Sequence, residues 1–240
     1  MDLLESVLER KEASKNPFAV IDLDNSIIRH DSAEAVLAFM AKHDIGHARS
    51  DFPKYYSLLD RGDMEGAYRF GAKTLRNLTT QRVNAAVRQA LIEEGTVIST
   101  TTLFGRTIAK GINLRESVVA LMRQLRAHSI AVWIVSASPE IVVRGVVEYF
   151  NLEVDGVIGV RNIVYGGIVT SDLLEPLSIF DGKVSCIKEI ISPSVRPILA
   201  LGDSMNDLPM LEYAELRVVV DRGNALAEKA KAEGWFILKS

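Results

Sequence analysis

Phe18-Ala19-Val20-Ile21-Asp22-Leu23-Asp24-Asn25-Ser26 lies near one end of the chain, and Pro197-Ile198-Leu199-Ala200-Leu201-Gly202-Asp203-Ser204-Met205-Asn206-Asp207 near the other. Each is a short apolar run that stops at a pair of carboxylates. Runs of this length bounded by polar residues predict buried strands of a parallel sheet. Ligands of open α/β sheets bind just beyond the carboxyl ends of such strands. The four carboxylates therefore predict one acidic site. Clustered carboxylates repel one another unless a cation sits among them, and hard oxygen ligands suit magnesium.

The segments between these runs supply the rest of the fold. Leu3, Leu4, Val7 and Leu8 recur at helical spacing and predict a helix over 2–13. Further helices are predicted over 32–43, 52–59, 64–75 and 81–93. Cap-type residues stand at their starts: Asp31 with Glu34 three later, Asp63, and Thr79-Thr80. Residues 95–113 give mixed signals and read as a return linker. An α/β rhythm then resumes, with a helix over 116–127 and a strand over 130–135. The next helix opens at Ser138-Pro139, with Ser138 as N-cap and Pro139 at the first helical position. Residues 157–170 read as β structure turning at Gly166-Gly167. A helix over 183–191, a strand over 198–201, a helix over 206–214 and strands over 217–220 and 235–238 complete the pattern. The expected fold class is α/β, a mostly parallel sheet with a helical cap inserted after the first strand. The expected core is 1–31 and 114–240. The expected cap is 32–113, placed to cover the acidic turn as a lid.

Composition excludes several classes. Of 240 residues, 48% are hydrophobic and 25% charged, with a net charge of −3, so no polyanion-binding surface or nucleic-acid partner is expected. No segment approaches the roughly 20 apolar residues that span a bilayer. The start, Met1-Asp2-Leu3-Leu4-Glu5-Ser6, has no signal-peptide apolar region, so the expected location is cytoplasmic. Cys186 is the single cysteine and is read as packing.

Taken in order, Asp22-Leu23-Asp24, then Ser136 at the end of Val132-Trp133-Ile134-Val135, then Lys183 after Asp181-Gly182, then Gly202-Asp203-Ser204-Met205-Asn206-Asp207, resemble the four motifs of the haloacid dehalogenase-like hydrolases. Over about 16–31 and 114–215 the resemblance implies a Rossmann-like core. The helical insertion, with Gly166-Gly167-Ile168-Val169-Thr170 and Gly182-Lys183, resembles the phosphoserine-phosphatase-like branch. The resemblance implies a Mg2+-dependent phosphatase acting on a small phosphomonoester. In that family the first aspartate is the nucleophile and the second the general acid/base, which maps to Asp22 and Asp24. Ser136, Ala137, Lys183 and Asn25 would contact the phosphoryl group. The metal would take Asp22, Asp203 and the Asp24 backbone carbonyl. Asp207 and Asn206 would support these ligands from behind. A phosphomutase, or a non-catalytic binding protein on the same fold, is the alternative. Oligomeric state is left open.

Substrate signals are mixed. Phosphoserine phosphatases hold the substrate amine with a carboxylate at about the place of Asp31, which also reads as the N-cap of the next helix. Their carboxylate-gripping arginine falls, by register, on Gly71, with Arg69 nearby on another face. Their second motif is Ser-Gly-Gly, where this chain has Ser136-Ala137-Ser138. The insertion carries Phe39, Phe52, Tyr55, Tyr56, Tyr68 and Phe70, which fit either a small helical core or a box for a quaternary ammonium. Phosphoserine, phosphocholine and phosphoethanolamine are therefore the expected substrate types. Tyr68 and Asp31 are the named specificity candidates. His30 reads as a loop residue at the mouth of the site.

Overall fold

The computed structural model describes residues 2–239; Met1 and Ser240, the outer limits of the two expected core segments, lie outside the described residues. Helix α1 (Leu3–Ala13) leads into strand β1 (Phe18–Ile21), which is buried throughout. The insertion follows as α2 (Ser32–Lys42), α3 (Ala48–Asp60), α4 (Met64–Lys73) and α5 (Thr80–Glu94). Three of the expected caps form: the side chains of Asp31, Asp63 and Thr79 accept hydrogen bonds from the backbone N–H of Glu34, Gly66 and Arg82.

The insertion is not wholly helical. Where a linker was expected, β2 (Ser99–Leu103) and β3 (Arg106–Lys110) form an antiparallel hairpin turning at Phe104-Gly105. Its threonines and basic residues lie mostly in solvent, so the strands lack the apolar alternation by which a sequence announces them.

The core continues as α6 (Glu116–Ala127), β4 (Ala131–Pro139), α7 (Glu140–Tyr149), β5 (Gly156–Tyr165) and β6 (Ile168–Leu174). It closes with α8 (Asp181–Ile190), β7 (Leu199–Gly202), α9 (Leu208–Tyr213), β8 (Leu216–Asp221), α10 (Ala225–Glu233) and β9 (Phe236–Lys239). Helix α10 carries no sequence expectation of its own. The seven-stranded sheet runs β6-β5-β4-β1-β7-β8-β9, parallel everywhere except at β5–β6. Alternate residues of β1 feed opposite faces. Ala19 and Ile21 join one apolar cluster with Val132, Ile134 and Leu201, while Phe18 and Val20 join another with Ala200, Met210 and Leu211.

Several contacts hold the insertion on the core, among them the two that follow. Helix α5 packs against α7 at Gly145, where a Cβ would stand 2.6 Å from Val87 Cγ1. Residues 77–80 also pair with the β5–β6 hairpin: Asn77 N–H donates to Val169 O (2.8 Å), Val169 N–H to Leu78 O (2.9 Å) and Thr80 N–H to Gly167 O (3.0 Å). The insertion is thus anchored at both its helical and its loop surface.

Cys186 sits in the second cluster, fully buried, with its thiol 3.2 Å from Pro176 O. Burial pushes this thiol up to about 11. The native protein is therefore expected to resist iodoacetamide at neutral pH and to be alkylated only after unfolding, as mass spectrometry would read directly. No helix among the described residues is long and apolar enough to cross a membrane.

Candidate active site

The order of the sheet assembles the site. Strand β1 is flanked by β4 on one side and β7 on the other. The chain leaving β1 is thereby set between Ser136–Ser138 and Gly202–Asp207, at the strand ends where such sheets bind ligands. Asp22 N–H donates to Leu201 O (2.9 Å), which continues the ladder into the acidic turn. The turn then closes on itself, with Asn25 N–H donating to His30 O (3.1 Å). Asn25 and His30 take positive φ of 61° and 65°, a strained arrangement of the kind found at functional turns.

Lys183 is fully buried and reaches across to this turn. Its ammonium donates to Asp22 Oδ1 (2.8 Å), Asp207 Oδ1 (2.5 Å) and Val135 O (3.0 Å). Burial works against that charge, but the two carboxylates outweigh it and raise its pKa above the ordinary lysine value. Asp22 is held well above the usual carboxylate range by burial and by the charge of Asp207, with Lys183 pulling the other way.

Asp24 is oriented by three donors: Ser32 N–H on Oδ1 (2.7 Å), and the hydroxyls of Ser136 (3.2 Å) and Ser138 (2.6 Å) on Oδ2. Ser138 was expected only to cap α7. Instead Pro139 is the N-cap, and no side chain bonds that helix end. A register shift in β4 between Val135 and Pro139 accompanies this arrangement. Without an irregularity residues two apart already share a face; here the irregular stretch also turns the backbone so that Ser138 N–H donates to Ser136 Oγ (3.0 Å).

On the β7 side, Gly202 permits a close approach. A Cβ there would meet Asp207 Cβ at 2.5 Å. Asp207 Oδ2 accepts from the N–H groups of Asp203 (3.0 Å) and Ser204 (3.1 Å), so both its oxygens are engaged within the protein. Asn206 Oδ1 accepts from Phe180 N–H (2.8 Å), pinning the entry to α8 rather than facing the site through that oxygen. Asp203 Oδ2 accepts from Arg222 (2.6 Å), and its Oδ1 lies 3.4 Å from Ser26 Oγ. Burial and Asp207 push Asp203 up to about 6, with Arg222 offsetting part of the rise.

One oxygen each of Asp22, Asp203 and Asp207 lie within 4.8 Å of one another. With Asp24 the group holds four carboxylates against the charges of Lys183 and Arg222, so the cluster is electrostatically short of positive charge. Both oxygens of Asp207 are spent on Lys183 and backbone donors, whereas Asp22 gives only Oδ1 to Lys183 and Asp203 Oδ1 has only the long contact to Ser26, so Asp22 and Asp203 are the carboxylates with an oxygen to offer a hard cation. The donor set fits magnesium.

These residues open into a cavity of about 330 Å3. Asp22, Asp24, Asn25, Ser136, Ala137 and Asp203 line it from the core, Asp31 from the junction between core and insertion, and Glu34, Tyr55 and Tyr68 from the insertion. Of the insertion's aromatics, Tyr55 and Tyr68 reach this cavity. Phe52 and Tyr56 pack together instead (ring centroids 4.8 Å), and Phe39 stacks on His43. His30 lines the cavity, and its Nδ1 has no partner. Arg69 pairs with Glu65 and Glu175 on the surface.

Two charged lining residues escaped the sequence reading. Glu34 looked like the return half of a capping box, yet its Oε2 accepts from the Tyr56 hydroxyl (3.2 Å) and its Oε1 lies 3.5 Å from that of Tyr55. Arg222 follows β8, and its position at a strand's carboxyl end was the signal available.

The family model for haloacid dehalogenase-like hydrolases matches residues 19–212. The chain belongs to that family. Its sequence is 26% identical to a phosphorylcholine phosphatase of Pseudomonas aeruginosa, over 83% of this chain and 71% of that protein. It is 22% identical to a histidinol-phosphatase of Neisseria meningitidis, over 92% and 97% respectively. A substrate-bound phosphoserine phosphatase structure shares its fold with a TM-score of 0.60, at 18% identity and 90% coverage of both chains.

Proposed function

We propose that this hydrolase is a Mg2+-dependent phosphatase that cleaves a small phosphomonoester through an aspartyl-phosphate on Asp22. The observation that carries the reading is the pairing of roles at the end of β1. Asp22 faces a buried lysine, while Asp24, two residues on, is held by two hydroxyls and an amide in the same cavity. The names of the two relatives support the phosphatase class.

In the first step an Asp22 oxygen attacks phosphorus. The bond to the leaving alcohol breaks, its electron pair stays on the alcohol oxygen, and that oxygen takes a proton from Asp24. In the second step Asp24, now a carboxylate, removes a proton from water as the water attacks the aspartyl-phosphate. The bond to Asp22 breaks and inorganic phosphate leaves. Lys183 orients Asp22 and offsets charge on the phosphoryl oxygens, with Ser136, the Ala137 backbone and Asn25 as further phosphate contacts. Magnesium held by Asp22, Asp203 and the Asp24 carbonyl would supply Lewis-acid charge to the phosphoryl group. Asp207 and Asn206 hold the surrounding loops. The cap, residues 32–113, forms the wall that meets the leaving group, with Asp31 and Tyr68 among its contacts. The substrate is phosphoserine-, phosphocholine- or phosphoethanolamine-like.

Phosphate release from a panel of these esters, sugar phosphates, mononucleotides and a generic aryl phosphate tests the reading. Turnover is expected with Mg2+ and is expected to vanish with EDTA and return on adding Mg2+. Activity that survives EDTA removes the metal. Silence on every ester favours a binding protein on this fold.

A further inference from the structure

We propose that the cap gives the substrate cavity a cation-binding wall built on Glu34 with Asp31, so that the substrate is the phosphate ester of an amino alcohol lacking a carboxylate. The inference rests on the phosphatase reading above and narrows it.

The cap contributes Glu34, Tyr55, Leu59, Met64 and Tyr68 to the cavity, and Asp31 joins them from the junction just before the cap. Neither carboxylate forms a salt bridge with a described residue. Arg106, the cation whose charge reaches Glu34, is committed elsewhere. It donates to both oxygens of Asp60 at 2.8 Å and lies 4.2 Å over the Tyr56 ring. Burial raises Asp31 well above the usual carboxylate range, with Asp24 and Glu34 adding to the rise. Burial also raises Glu34, against the stabilising Tyr56 hydroxyl. Desolvated carboxylates without a cation are costly to ionise, and a cation brought by the substrate completes them. The phenol rings of Tyr55 and Tyr68 and the apolar atoms of Leu59 and Met64 suit the alkyl part of an alkylammonium group.

The same wall disfavours a substrate carboxylate. The arginine among the cavity-lining residues, Arg222, is bound to Asp203. Gly71 is buried in α4, and a Cβ there would lie 3.5 Å from the Tyr55 ring, so nothing at that place can grip an anion. A carboxylate on the leaving group would meet Asp31 and Glu34 instead.

The test compares kcat/KM for phosphocholine, phosphoethanolamine, phosphoserine and glycerol phosphate, with an aryl phosphate as the measure of the underlying reaction. Both cationic esters are expected to exceed phosphoserine and glycerol phosphate. In Glu34→Gln the ratio of phosphocholine to glycerol phosphate is expected to fall by about 30-fold or more, as for loss of a desolvated charge pair. Asp31→Asn, read the same way, covers the case in which the first variant melts early. An enzyme that turns over aryl phosphate but prefers glycerol phosphate or phosphoserine overturns the cation wall and leaves the phosphatase standing. A ratio unchanged in a folded Glu34→Gln does the same. If no ester of the panel is hydrolysed, the phosphatase reading fails. Calorimetric binding of phosphocholine against glycerol phosphate to the wild-type protein then decides the wall, and equal affinities overturn it.

Discussion

Asp22→Asn is expected to abolish turnover while the protein keeps its fold. An amide oxygen is a poor nucleophile, and loss of a nucleophile in covalent catalysis costs on the order of 10^4-fold or more in kcat. The substitution preserves shape. Lys183 retains Asp207 Oδ1 and Val135 O, so the buried ammonium is not left without partners. It also removes one charge from a cluster in which burial and Asp207 already hold Asp22 well above the usual carboxylate range. The melting temperature should therefore stay level or rise. The decisive measurement is kcat alongside a thermal melt. A variant with wild-type kcat would remove Asp22 as nucleophile. A variant that loses activity together with several degrees of melting temperature would make Asp22 a structural partner of Lys183 instead.

The features of this site that were legible in the sequence share a cause: local chemistry and tertiary role coincide. Strand β1 is apolar because both its faces are covered, and its end is acidic because the turn beyond it forms the site. Gly202 is needed because Asp207 folds back on it. Where one residue type serves two purposes, the sequence favours the commoner one. Ser138 before Pro139 reads as a helix cap, but its hydroxyl is drawn to Asp24 across the sheet. Glu34 three residues after Asp31 reads as a capping box, and only the placement of Tyr55 and Tyr56 from α3 turns it toward them. The β2–β3 hairpin escaped for the opposite reason. Its strands bury little, so they leave no apolar period to read.

Lys183→Met should show the second large effect, this time on stability and activity together. The lysine neutralises two buried carboxylates at once, and methionine fills the space without the charge. Removing one partner of a buried ion pair leaves the others uncompensated and costs about 3–5 kcal/mol. For a domain of this size that corresponds to a fall of roughly 10 °C in melting temperature. The pH dependence gives a signature that lost packing would not. Asp22 carries a raised pKa in the folded protein, and without Lys183 the rise is larger still. A carboxyl raised on folding binds more protons folded than unfolded, so stability falls as pH rises through its folded pKa and recovers as pH falls below it. The variant's deficit relative to wild type should thus be greatest above the folded pKa of Asp22 and shrink on acidification below it. A deficit independent of pH would assign Lys183 a packing role. Turnover should be lost in either case, because Asp22 would lose the ammonium that orients it. An active, stable Lys183→Met protein would take the lysine out of the mechanism altogether.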